Sequence, residues 1–287
     1  MPPLHRGVPN RNGAAARRTG GCRYDRSMNR LLLACLLLAA TIAPAFAEGQ
    51  FRVLVLAVPN RYHHDYTVVA KPQFERMAQR HSFDLDWHWN TAVFDQDLSR
   101  YAAIVLLNTP GDELEGAQRQ ALESYVRAGG GVVAVHRALI FNPTGGWPWF
   151  ERMIGRTFRI HPIVQSAVVR VEDATFPATF GLPQRWIWTD EWYEFEPPLV
   201  QGLRTVLSVD ESTYDPTRIW PGQTARGMGR EHPVAWYHAY DGGRVFVTAL
   251  GHTPALYDDA LYLEHLYGGI WWAATGKGVQ AEPARGN

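Results

Sequence analysis

The chain is short of cysteine, of surplus positive charge and of long apolar runs, and each shortage removes a class of explanation. Cys22 and Cys35 are its only cysteines. Both precede position 48, so a protein beginning there has neither a disulfide nor a thiol nucleophile, and it folds on its core alone. The one markedly apolar run, Leu31 to Ile42, is about twelve residues long and too short to span a bilayer. Arg30 before it and Ala43-Pro44-Ala45-Phe46-Ala47 after it supply the basic end and small-residue cleavage site of a secretory signal. We expect cleavage after Ala47 and a periplasmic or secreted protein with no membrane span. Met28 would start a signal of ordinary length. A lipoprotein signal at Leu32-Leu33-Ala34-Cys35 fits less well, because the apolar run continues past the cysteine.

Removing residues 1–47 takes away seven arginines and one aspartate, which leaves 21 basic and 27 acidic residues. A mildly acidic surface lacks the clustered cations that nucleic acid requires. No internal repeat is present. The 240 residues from Glu48 suffice for one large α/β domain, expected over 48–276, followed by a polar tail expected to be disordered over 277–287. Association of the domain with itself is left open. Tryptophan is plentiful, with eleven in the chain, most in the second half. Such a surplus suits a sugar-binding cleft, although core packing is the plainer reading of any single one.

Hydrophobic patterning predicts strands over 51–58, 83–89 and 102–107, helices over about 66–80 and 113–128, and a buried strand from Gly129-Gly130-Gly131 through Val132-Val133-Ala134-Val135. Strands and helices alternating with short connections specify a parallel sheet flanked by helices. After a short helix near 147–154, the segments 164–171, 186–195, 204–209, 233–240 and 243–250 read as strands of an antiparallel extension. A final helix over about 258–275 packs back on the sheet.

His136 ends the Val-rich strand, and at the carboxyl end of a central strand the last side chains face the crevice where ligands bind. Ionisable groups at other strand ends are candidates to join it: His63-His64-Asp65 after the first strand, Asp190-Glu191 within Thr189 to Phe195, and His252 after Gly251, with Asp112 and His161 behind them. If the first and fourth strands are neighbours, His64 and His136 emerge side by side. Asp190 and Glu191 point to opposite faces of a strand, so only one serves the site, and we favour Glu191. Asp65 also reads as a helix N-cap. His161, before Pro162, also reads as a turn residue. Two chemistries fit. His64, His136 and His252 could ligate a divalent metal such as zinc, or His136, His252, Glu191 and Asp65 could do acid–base work without one. A two-carboxylate glycosidase using Asp65 and Glu191 is a further arrangement.

Several motifs occur in an order that resembles the ThuA-like (trehalose utilisation) family: His64-Asp65, Leu107-Asn108-Thr109-Pro110-Gly111-Asp112, the glycine-rich strand to His136, Trp147-Pro148-Trp149, His161-Pro162, Thr189-Asp190-Glu191-Trp192-Tyr193, His232-Pro233 and Gly251-His252-Thr253. The resemblance spans Phe51 to about Gly276. It implies a flavodoxin-like fold, similar to class I glutamine amidotransferases, with His136 at the elbow where those enzymes carry cysteine. Glutaminase chemistry through a thioester is therefore excluded. The resemblance also implies a role in the metabolism of trehalose or related keto-glycosides, with a small carbohydrate as partner and Asn108, Asp112, Trp149, Trp192 and Tyr193 as substrate-binding candidates. A non-catalytic sugar-binding module on the same fold is the alternative. Arg137 directly after His136 departs from the small residues expected there; a cation at the elbow could narrow the pocket or bind an anionic group.

Overall fold

Five parallel strands carry the site-bearing edge of the molecule. The computed structural model describes residues 49–63, 65–141 and 146–279. The expected signal segment, His64 and most of the tail lie outside the described residues. In chain order the strands are β1 (Arg52–Leu56), β2 (Asp84–His88), β3 (Ala103–Leu107), β4 (Gly131–Val135), β5 (Phe158–Ile160), β6 (Gln165–Val171), β7 (Arg185–Asp190), β8 (Glu194–Phe195), β9 (Arg204–Asp210), β10 (Pro233–Tyr240) and β11 (Gly243–Thr248). Nine form one sheet in the order β2-β1-β3-β4-β11-β10-β9-β6-β7, and β5 pairs with β8 apart from it. From β2 to β11 the neighbours are parallel, in the order of a flavodoxin-like sheet. From β11 to β7 every pairing is antiparallel.

Strand alternation divides the core in two. Val53, Val55, Val105, Val133 and Val135 face one side, with Tyr66, Phe74 and Met77 of helix α1 (Tyr66–His81) and Leu266, Ile270 and Ala273 of α4 (Ala260–Thr275). Leu54, Leu56, Ile104, Leu106, Val132 and Ala134 face the other. There they meet Leu122, Tyr125 and Val126 of α2 (Gly116–Arg127) and Phe150, Met153 and Ile154 of α3 (Pro148–Ile154). Both faces are covered, which is why these strands are apolar throughout. Gly269 lets α4 approach closely, since a Cβ there would come within 2.2 Å of the Phe246 ring. Among the described residues, no helix is long and apolar enough to cross a membrane.

The structure departs from the pattern reading in two places that matter for the site. β3 lies between β1 and β4, so the first and fourth strands are not neighbours. A long loop, rather than strand adjacency, carries the residues after β1 toward His136. The expected strand 186–195 is broken: β7 ends at Asp190, and Glu194 and Phe195 pair with β5. Between the two pieces the chain is free of the strict two-residue alternation of a strand.

Candidate active site

His136 begins a 3₁₀ turn, His136–Leu139, directly after β4. Its φ of +50° lies in the left-handed region that side chains other than glycine rarely adopt. The ring is buried, and Nδ1 donates to the carbonyl of Ala249 at 2.7 Å. That bond orients the imidazole and leaves Nε2 as its working atom, 2.9 Å from the Tyr193 hydroxyl and 3.5 Å from Glu191 Oε2. Asn108, also at φ +50° and buried, supports the turn. Its Oδ1 accepts from the Arg137 backbone N–H at 3.2 Å, and its Nδ2 donates to the Tyr257 hydroxyl at 3.3 Å.

Two further imidazoles meet His136. His63 is placed by the loop after β1, where Asn60 Oδ1 accepts its backbone N–H at 3.1 Å. Its ring centroid lies 5.0 Å from that of His136 and 5.3 Å from that of His252. His252 follows Gly251, whose φ of +129° suits glycine, and its ring lies 5.4 Å from His136. One ring nitrogen from each of the three lies within 4.8 Å of the others. Among the described residues, His63 Nε2 and His252 Nδ1 are buried without a hydrogen bond, the latter with Glu191 Oε2 3.3 Å away. Burial, reinforced by the other imidazoles, lowers His63 to about 3. Burial also lowers His252 and His161 below the ordinary histidine value.

Glu191 ties the group together. Its Oε2 lies 3.5 Å from His136 Nε2, 3.5 Å from His161 Nε2 and 3.3 Å from His252 Nδ1. Burial opposes its ionisation, but hydrogen bonding to His136 and the surrounding imidazoles outweigh burial and bring the carboxyl to about 2. Asp190 is equally involved, in a different way. Fully buried, its carboxylate accepts from the backbone N–H of Glu191 (2.9 Å), Gly251 (2.9 Å) and His252 (3.2 Å) and from Trp188 Nε1 (3.2 Å). Burial pushes this carboxyl up, while His136 and the N–H donors pull it down. The expectation that only one of the two acids serves the site is thus corrected. The strand ends between them, and both turn inward.

Tyr193 is braced from behind. Its carbonyl accepts from His232 Nε2 at 3.0 Å, and His232 Nδ1 meets Glu211 Oε2 at 2.9 Å. The backbone N–H groups of Met228 and Gly229 hold Glu211 in turn.

Of the residues singled out by sequence, the structure brings His136, Glu191 and His252 together, with Asn108 and Tyr193 as their supports. His63 rather than the neighbouring His64 is the described imidazole of the cluster. His161, read as a secondary candidate, both bonds the Pro162 carbonyl through Nδ1 (2.9 Å) and faces Glu191. Asp65 stands exposed at the amino end of α1, outside these contacts, and Asp112 is exposed in the turn after β3. Trp192 is fully buried, with Nε1 donating to the Gln165 carbonyl at 3.0 Å, and is a core residue. Trp149 packs at the amino-terminal end of the sheet, donating to Asp241 at 2.7 Å in the turn before β11.

A groove of about 1260 Å³ lies elsewhere, lined by Arg159, Arg170, Arg185, Glu172 and Glu211 among others. Its Arg159, Arg170 and Arg185 are paired with Glu194, Glu172 and Asp210. We therefore read this face as one where several charges are already paired within the protein, and the histidine cluster as the candidate site of chemistry.

The family described as ThuA, trehalose utilisation, matches residues 52–273. Among solved structures, the chain is similar to a ThuA-like protein from Bacteroides uniformis ATCC 8492. The two share 22% identity over 79% of this chain and 92% of that one, with a TM-score of 0.68. A ThuA-like protein from Parabacteroides merdae ATCC 43184 is similar at 25% identity, over 82% and 93% of the two chains, with a TM-score of 0.63. No curated protein matches.

Proposed function

We propose that this chain, which belongs to the ThuA (trehalose utilisation) family, binds a small carbohydrate over the rings of His63, His136 and His252 and turns it over by acid–base or metal-assisted chemistry. The observation that carries the reading is the convergence of three imidazoles on one carboxylate at the edge where open α/β sheets bind ligands. Burial favours the neutral form of His63 and His252 that ligates a cation, and His63 Nε2 is buried without a hydrogen-bond partner among the described residues. The donor set therefore fits a divalent ion such as zinc, held by His63, His136 and His252. When bound, such an ion polarises an oxygen of the substrate.

The chain's own groups supply the rest. Glu191, ionised at neutral pH, accepts a proton at Oε2 and returns it, and His252, at the partly exposed side of the cluster, exchanges protons with it. Tyr193 and the Ala249 carbonyl fix the His136 ring at both nitrogens. The elbow presents an imidazole where a thioester route would need a thiol. On the sequence grounds given above we also infer export, with a mature start at Glu48 that amino-terminal sequencing of the secreted protein would read directly.

The test combines metal analysis with a panel of trehalose, sucrose, lactose and their 3-keto forms. We expect about one divalent ion per chain, lost in His136→Ala, and turnover of at least one sugar. Binding of a sugar without turnover would favour the non-catalytic module. Metal content and sugar affinity both unchanged in His136→Ala would overturn the site.

A further inference from the structure

We propose that the ligand of this site is a sugar bearing a carboxylate, and that Arg137 receives that group; the proposal rests on the reading that the cleft binds carbohydrate. Arg137 is locked beside His136, because its backbone N–H is held by Asn108 Oδ1 at 3.2 Å. Its Cζ lies 5.9 Å from the centroid of the Tyr62 ring, next to His63. Nη1 is buried without a hydrogen-bond partner, and among the described residues no carboxylate forms an ion pair with this guanidinium. Three arginines of the groove differ, since Arg159, Arg170 and Arg185 each meet an acid within 4 Å.

A buried guanidinium N–H without an acceptor is costly, because its lost hydration is not replaced and the group is not neutralised by deprotonation. Glu191, the acid nearest in the cluster, is already engaged with three imidazoles. The missing acceptor is therefore one that arrives with the ligand. A single planar fork matches a carboxylate in two parallel hydrogen bonds. A phosphate draws several donors at once, commonly including a row of backbone N–H groups at a helix start, and the 3₁₀ turn at His136 offers no such row. Arg61, on the Tyr62 ring with Cζ 4.5 Å from its centroid, adds positive charge at the rim.

The sugar ring has a place as well. Tyr62 is 59% exposed and Trp220 is 47% exposed. Tyr62 adjoins His63, and Trp220 stands edge-on to His161 at 5.1 Å. Two exposed aromatic side chains thus stand beside the imidazoles, and apolar rings of this kind suit the hydrocarbon face of a pyranose.

The experiment is calorimetric titration of the purified full-length protein with glucuronate, glucose and glucose 6-phosphate. Glucuronate should bind at least about tenfold more tightly than glucose, and added salt should shrink that advantage. Arg137→Gln should bring the ratio close to one. Arg137→Lys, which keeps the charge and loses the fork, should retain part of the preference, and it serves alone if thermal melting shows that the glutamine variant is unfolded. A ratio near one in the unaltered protein, a ratio intact in both variants, or binding of glucose 6-phosphate without glucuronate would each overturn the proposal. Glucose binding without preference sinks only the role of Arg137. No binding of any of the three sugars would sink the carbohydrate reading with it.

Discussion

In the parallel half of the sheet, site groups come directly off strand ends: Asn108 follows β3, His136 follows β4 and His252 follows β11 by a few residues. In the antiparallel half they come from a break in a strand, and contacts from outside the sheet hold them. β7 is four places from β11 in the pairing order, yet Asp190 at its end bonds Gly251 and His252. The extension therefore curls back over the carboxyl edge, as strongly twisted strands do. The parallel half positions its residues by the backbone itself. The antiparallel half does so through buried carboxylates, with Asp190 on the β11 exit and Glu194 on Arg159 and the Arg226 and Gly227 backbone. Regular strand pairing makes the first arrangement rigid, whereas the second depends on a few charged hydrogen bonds.

The sharpest way to break this division is Asp190→Ala. It strands four N–H donors in the interior and unties the two halves, so we expect a loss of about 3–5 kcal/mol in denaturant unfolding. A loss below about 1 kcal/mol would show that the link is incidental.

Acidification should act on both halves. Burial lowers His63 in the site loop to about 3, and lowers His238 on β10 and His265 on α4 to about 4. Unfolded, these rings bind a proton near pH 6.5; folded, they do not. The unfolded state then holds more protons, so stability falls as the pH drops from about 6.5 toward 4. Glu191, ordinarily near 4.5 and held at about 2, prolongs the fall below pH 4.5. Melting temperature measured from pH 7 to 4.5 should decline throughout, and more gently in His265→Gln. A flat profile contradicts the burial of these rings.

A smaller effect isolates backbone from chemistry at the end of β4. His136→Gly and His136→Ala both remove the imidazole, but only alanine keeps a side chain at φ +50°. The glycine variant should be the more stable of the two by about 1 kcal/mol. Equal stabilities would mean that the turn relaxes when the ring is gone. Smallest of all, Trp149→Ala should alter sugar affinity by less than about twofold, because this ring packs at the far end of the sheet against Tyr240 and Asp241. A larger change would place part of the ligand site there.

The residues of the parallel half were the easier to read. An apolar strand ending in His136 marks that residue at a strand's carboxyl end, and the same logic finds His252, its neighbour in the cluster. His63 was blurred with His64 because a loop has no periodicity by which to choose between neighbours. The break after Asp190 was hidden, since Trp186 to Phe195 contains neither glycine nor proline to mark it. The resemblance implies Trp192 and Tyr193 as substrate-binding residues; in the structure Trp192 lies in the core and Tyr193 bonds the His136 ring.

Composition and periodicity alone determined the α/β class, the parallel order of elements, the lack of a thiol from Glu48 onward and the place of His136 at the end of a buried strand, because these follow from local burial patterns and residue chemistry. Tertiary structure alone decided that residues as distant as His63, His161, Glu191 and His252 share one cluster. It also decided that, among the described residues, Arg137 Nη1 is buried without a hydrogen-bond partner and that Asp190 holds the neighbouring loop. Those relations arise where a curled sheet edge brings separate loops within a few ångströms, and hydrophobic periodicity along a chain carries no record of such distances.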